Sequence, residues 1–209
     1  MTFDLNKHTA RLLMDEPFFA ALSRRIDKRS STAIPTAGVK VDKDSGHFVM
    51  IYNPEFFETL TDVQKLGVLK HEFYHLVFEH VTGRLPEGGM SKLWNVATDL
   101  AINSHLVKEL PEQCCIPGTG PFADLPVGKS AEWYFEKLKQ EQEDGDPEDG
   151  DGEGTGEPGD GSGDGISSGS GRPTDSFDDH SGWGEGQADN TVNEIAKERL
   201  KEAVKKACL

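Results

Sequence analysis

The chain is short of cysteine, of long apolar runs and of positive charge, and each shortage excludes something. Three cysteines, two of them adjacent at Cys114 and Cys115, form neither a disulfide framework nor a CxxC metal pair. They read as the reduced thiols of a cytoplasmic protein. No apolar run approaches the ~18 residues that a membrane span requires. The opening MTFDLNKHTARLL lacks an apolar stretch of signal-peptide length. Basic residues number 22 against 37 acidic ones, a net charge of −15. With no basic patch, the composition argues against nucleic acid as a partner.

The negative charge sits in one place. Between Glu141 and Asn190 the chain holds 16 acidic residues and a single basic one, Arg172, so the rest is electrically neutral. The same stretch holds 14 of the 23 glycines and only four apolar side chains, Ile166, Phe177, Trp183 and Ala188. So little apolar surface cannot offset chain entropy, and 141–190 reads as a disordered acidic linker. Residues 1–140 are long enough for one core. Past the linker, 191–209 carries Val192, Ile195, Ala196, Leu200, Val204 and Ala207 at helical spacing, an amphipathic helix capped by Thr191 with Glu194 and suited to a protein partner.

Within 1–140, residues 8–28 read as helical, with Pro17 marking a break or a second start. Val39 and Val41 alternate with polar neighbours, Asp44-Ser45-Gly46 makes a turn, and His47–Tyr52 is β-rich, which together predict a hairpin. Thr61 with Gln64 forms a capping box for a helix expected to run to about Thr82 and stop at Gly83. A second helix spans about Leu93–Glu109. Residues 111–129, rich in Pro and Gly, read as a long surface loop, and Ser130 caps a third helix, AEWYFEKLKQ.

Chemistry concentrates in His71-Glu72-Phe73-Tyr74-His75. Histidines four apart on a helix lie about 40° apart in rotation and one turn apart in height, so both rings can reach one metal ion. Glu72 lies about 100° round from His71, close enough to take a proton from a water at that metal without being a ligand. HExxH thus suits Zn²⁺, which lowers the pKa of its water. The competing reading is a helix whose histidines are merely packed.

Zinc needs a third protein ligand. His80, nine residues past His71, falls about 180° round an ideal helix and points away. No glycine at Val77, Phe78 or Glu79 would turn the chain first, so His80 reads as a helix-end histidine near the C-terminal dipole. The other candidate is Asp99. The segment Leu93–Asn103 is apolar except for Asn95, Asp99 and Asn103 at i, i+4, i+8. An apolar helix turns such a stripe inward only toward something polar. Asp99 is the preferred ligand, Asn103 or Asn95 its outer support, and His80 the alternative. Asp178-Asp179-His180 reads as an exposed spacer motif.

The segments NPEFF, HEFYHLVFEH, Arg84 four residues on, WNVATDLAIN and the later DDHSGW (Asp178–Trp183) together resemble the HExxH metallopeptidase domain family found upstream of von Willebrand factor A-like domains in bacterial and phage proteins. The chain ends where the A-like domain would begin. The resemblance implies an α+β, zincin-like fold: a small sheet, an active-site helix carrying HExxH and a following helix that gives the third ligand. The expected activity is hydrolysis of peptide bonds in a peptide or protein substrate, with His71, His75 and Asp99 on zinc and Glu72 as general base. The alternative is a catalytically silent, metal-stabilised interaction module. Strand His47–Tyr52 is a candidate edge for an extended substrate.

Overall fold

A computed structural model describes residues 5–86, 89, 91–144 and 190–208. Most of the acidic linker and the motif Asp178–Trp183 lie outside the described residues. The described chain is a mixed α+β fold with one small three-stranded sheet.

The first surprise falls at the N-terminal end. The expected second start at Pro17 is there, between α1 (Leu5–Asp15) and α2 (Pro17–Ser23), but the end of the segment is not helical and forms a strand, β1 (Ile26–Ser30). Pro17 opens α2 at its first turn, where its missing N–H costs nothing. β1 carries Ile-Asp-Lys-Arg-Ser, with Ile26 its one buried side chain. A charged edge strand shows no alternation, and it is its backbone pairing that makes it a strand.

β2 (Ala37–Val41) and β3 (Phe48–Tyr52) form the expected antiparallel pair, with Val39 opposite Met50. The strand order, however, is β1-β3-β2, with β1 parallel to β3. β3 is therefore the central strand, and the expectation that it offers an edge is wrong. Its consecutive buried residues Phe48, Val49 and Met50 suit a strand flanked on both sides. The edges belong to β1 and β2, and β2 packs on the helix that carries HExxH.

α3 (Pro54–Thr59) is capped by Asn53, whose Oδ1 accepts from the Glu55 N–H at 2.9 Å. α4 (Asp62–Val77) opens with the predicted Thr61–Gln64 capping box, both bonds present. Ser91 caps α5 (Lys92–Asn103), which ends six residues before the predicted Glu109. α6 (Ala131–Asp144) starts at Ser130, whose Oγ accepts from the Trp133 N–H, and runs four residues into the segment expected as linker. α7 (Asn190–Ala207) begins one residue before Thr191. The Glu194 carboxylate takes the Lys197 ammonium at 2.7 Å.

Two apolar clusters result. One joins the sheet, α2, α4 and α7 through Phe19, Leu22, Met50, Leu69, Phe73, Leu200 and others. The second joins α5 and α6 through Trp94, Leu100, Tyr134 and Leu138. α7 lays Ala196, Leu200 and Ala203 into the first cluster, while Ile195 stays exposed. Residues 111–129 form the expected loop, exposed over most of its length, but it turns inward at 111, 114–117, 122 and 125. Cys114 is buried in the first cluster and Cys115 in the second, so this segment threads the seam between them. Among the described residues, no helix is long and apolar enough to cross a membrane.

Candidate metal centre

α5 lies along the seam. Ile102 faces the first cluster, while Trp94, Ala97, Leu100 and Ala101 face the second. Its stripe of Asn95, Asp99 and Asn103 is buried, as expected of an inward-facing stripe. Against it lies α4, with His71, Glu72 and His75 all no more than 2% exposed. Three such polar side chains on one buried helix face would be costly without partners that use them.

Two features hold α4 and α5 in register. Gly67 lets the backbone turn after α5 approach α4 so closely that a Cβ there would stand 2.1 Å from the Glu109 carbonyl oxygen. One turn on, the buried Lys70 ammonium pairs with Glu109 and, at 3.1 Å, with Glu16 ahead of α2. Burial works against that charge, but the bonds to Glu109 and Glu16 outweigh it and hold the Lys70 pKa above its ordinary value. Lys70 is next to His71, so the clamp acts directly on the site. No local pattern announces the clamp, since both acids lie far from Lys70 along the chain.

The donor atoms converge. His71 Nε2 and His75 Nε2 are 2.9 Å apart, and Asp99 Oδ1 lies 3.5 Å from the first and 3.3 Å from the second. Four ligands at 2.0–2.1 Å round a tetrahedral ion are separated by about 3.3–3.4 Å. The triangle is one face of such a tetrahedron, and these residues could hold a metal ion. Among the described residues this is the one cluster of three or more metal-binding side chains of that kind.

Asn103 fixes the tautomer of His71. Its Nδ2 donates to the Cys115 carbonyl at 2.8 Å, an atom that can only accept. Its Oδ1 is thereby turned toward His71 Nδ1, 2.8 Å away, and receives that N–H. The proton of His71 then sits on Nδ1, and Nε2 presents its lone pair to the triangle.

His80 is not where an ideal helix would put it. α4 ends at Val77, and the next turn is a Schellman motif: the Glu79 N–H reaches the Leu76 carbonyl and the His80 N–H the His75 carbonyl. The C′ position, usually glycine, is Glu79 at φ 56°. That left-handed conformation costs a non-glycine residue about 1 kcal/mol. The Glu79 carbonyl receives the N–H groups of Thr82, Gly83 and Arg84, and the Arg84 guanidinium grips Glu132 of α6 with bonds of 2.8 and 2.6 Å. Surrounding contacts thus hold a turn that no glycine announces. His80 is folded back, buried, with its Nδ1 3.3 Å from His75 Nδ1, so it neither points away nor rests exposed at a helix end.

Burial lowers the His75 pKa to about 4, against a partly compensating bond from Asp99, and lowers that of His80 to about 2, with the charges of His75 and Arg84 adding to it. Both rings are neutral near pH 7. Their folded pKa values lie below the unfolded value of 6.5. Above pH 6.5 neither state is protonated and stability is at its full value. As pH falls through 6.5 the unfolded chain takes up protons that the fold refuses, and stability drops by up to about 1.4 kcal/mol per pH unit per histidine. The urea midpoint of chelator-treated protein should therefore fall clearly between pH 7.5 and 5.5, before most carboxylates titrate. An unchanged midpoint would show that these histidines are solvated.

The comparison with known families is decisive over nearly the whole length: residues 2–208 match the family model described as "Putative metallopeptidase domain". The chain belongs to that family. A metallopeptidase domain implies a metal ion, and the His71, His75 and Asp99 triangle has the donor types and spacing to hold one. No curated protein and no solved structure matches the chain.

Proposed function

We propose that this family member is a zinc-dependent hydrolase of peptide bonds with a zincin-like arrangement, working in the cytoplasm. The observation that carries the reading is the buried donor triangle, made by an HExxH helix and a carboxylate from the next long helix. His71, His75 and Asp99 would hold the ion. When bound, zinc supplies Lewis acidity that makes a water a nucleophile near neutral pH. Two imidazoles and one carboxylate make a nitrogen and oxygen donor set that suits it.

Glu72 is the residue that would take the proton of the attacking water and hand it to the leaving amine. It is wholly buried on α4, beside His71. Burial among apolar helices excludes bulk water from its proton, which keeps the transfer local. β2, at the sheet edge and packed on α4, is the strand on which an extended peptide could add as a further strand. The three free cysteines, two of them buried, support a reducing compartment.

Glu72→Gln tests the reading against that of a silent metal-stabilised module. The variant should keep its metal and its unfolding midpoint and lose at least about 100-fold in cleavage of unfolded protein substrates. If the unmutated chain binds zinc in full yet cleaves neither itself nor any unfolded protein, the module reading takes its place.

A further inference from the structure

The histidine outside the donor triangle has a place of its own in the centre. His80 meets His75 ring to ring, centroids 5.4 Å apart and planes at 71°, with the two Nδ1 atoms 3.3 Å apart. The His75 nitrogen it touches is on the far side of the ring from the one that faces Asp99. His80 is packed edge-on against Trp94 and beside Phe78, in apolar company that favours a neutral ring. A neutral imidazole that is not donating through Nδ1 accepts there.

From this we infer that His80 is the outer partner of His75: its Nδ1 accepts the His75 Nδ1 proton, turns the ring and aims the Nε2 lone pair of His75 into the donor triangle. The inference rests on the metal-site reading above and adds a positioning residue to it. It also gives the strained turn a use. Glu79 at positive φ is what swings His80 back onto His75, and strain of that kind persists where the surroundings enforce it for a purpose. The two ligand histidines would then be oriented by different means, His71 by the Asn103 amide and His75 by a second imidazole.

The test uses the full chain and zinc itself, with affinity measured by competition against a coloured chelator. His80→Leu removes the acceptor but fills the space, and should weaken zinc binding about 10–100-fold, as loss of an outer partner does. His80→Asn keeps an oxygen acceptor near the Nδ1 position and should stay near the unmutated affinity. The absorption spectrum of the cobalt-loaded forms should be the same in all three, because no ligand has changed. In the zinc-loaded unmutated protein, nitrogen NMR should find the His75 proton on Nδ1, with a scalar coupling across the bond to His80 Nδ1. That measurement decides the matter even if His80→Leu fails to fold.

Unchanged affinity in His80→Leu, or a proton on His75 Nε2 in the zinc-loaded protein, overturns the inference. Equal weakening in both variants with an altered cobalt spectrum also overturns it, and makes His80 a ligand. Failure of the unmutated chain to take up zinc would instead sink the metal-site reading on which the inference rests.

Discussion

Replacing Asp99 by alanine is expected to empty the metal centre. Asp99 is the one donor supplied from outside α4, and its Oδ1 closes the triangle at 3.3 and 3.5 Å from the two histidine nitrogens. Without it two imidazoles on a single helix remain, and the positions facing α5 go unfilled. The loss of affinity should exceed the about 10–100-fold that removal of an outer partner costs. Asp99→Asn separates charge from shape: it keeps the size of the side chain, removes its negative charge, and should also bind far less metal. The fold has less at stake, since a buried carboxylate is expensive to keep in the absence of a cation. Metal content after dialysis, read beside the unfolding midpoint of the chelated protein, checks both halves. Retention of full metal by Asp99→Ala would show that another group completes the site.

The second large effect lies in packing, and its sign runs against the usual rule. A glycine inside a helix is ordinarily worth replacing, because alanine gains about 1 kcal/mol in propensity. At Gly67 a Cβ would meet Glu109 at 2.1 Å from its carbonyl oxygen and 2.7 Å from its carbonyl carbon. These are backbone atoms, so α4 and the turn after α5 must separate. Overpacking of this kind costs typically about 1–3 kcal/mol. The displaced pair includes Lys70 with Glu109, and with it the spacing between the histidines of α4 and Asp99 of α5. Gly67→Ala should thus lower both the denaturation midpoint and the metal affinity. A rise in the midpoint would mean that the close approach is not made.

What could be read from the residues was local and strongly signalled. Thr61 and Gln64 sit at capping-box spacing and form both bonds, because a cap depends on four consecutive residues and little else. Val39, Val41 and the run His47–Tyr52 alternate or cluster as a strand pair must. The stripe Asn95, Asp99, Asn103 stands out because, Lys92 and Thr98 apart, its neighbours on α5 are apolar.

The failures share a cause, which is that distant contacts overrode local pattern. Ile26–Ser30 has the composition of an exposed helix end, and only pairing with β3 makes it a strand. That one element also moved β3 from the edge to the centre. α4 ends five residues before the expected Thr82 because Glu79, and no glycine, takes the left-handed conformation under the hold of Arg84 and Glu132. That turn brings His80 back to His75, where an ideal helix would carry it to the opposite side. Cys114 and Cys115 carry no periodicity, so nothing local marks the short inward turn of a loop that is otherwise exposed.

The central claim is that two histidines of one helix and an aspartate of another bind a single metal ion. X-ray absorption at the zinc edge, on full-length protein loaded and then dialysed, addresses it directly. One ion per chain is expected, with two imidazole nitrogens and the remaining positions filled by oxygen, all at about 2.0–2.1 Å. Less than stoichiometric zinc, or a shell of three imidazoles that brings in His80, would contradict it.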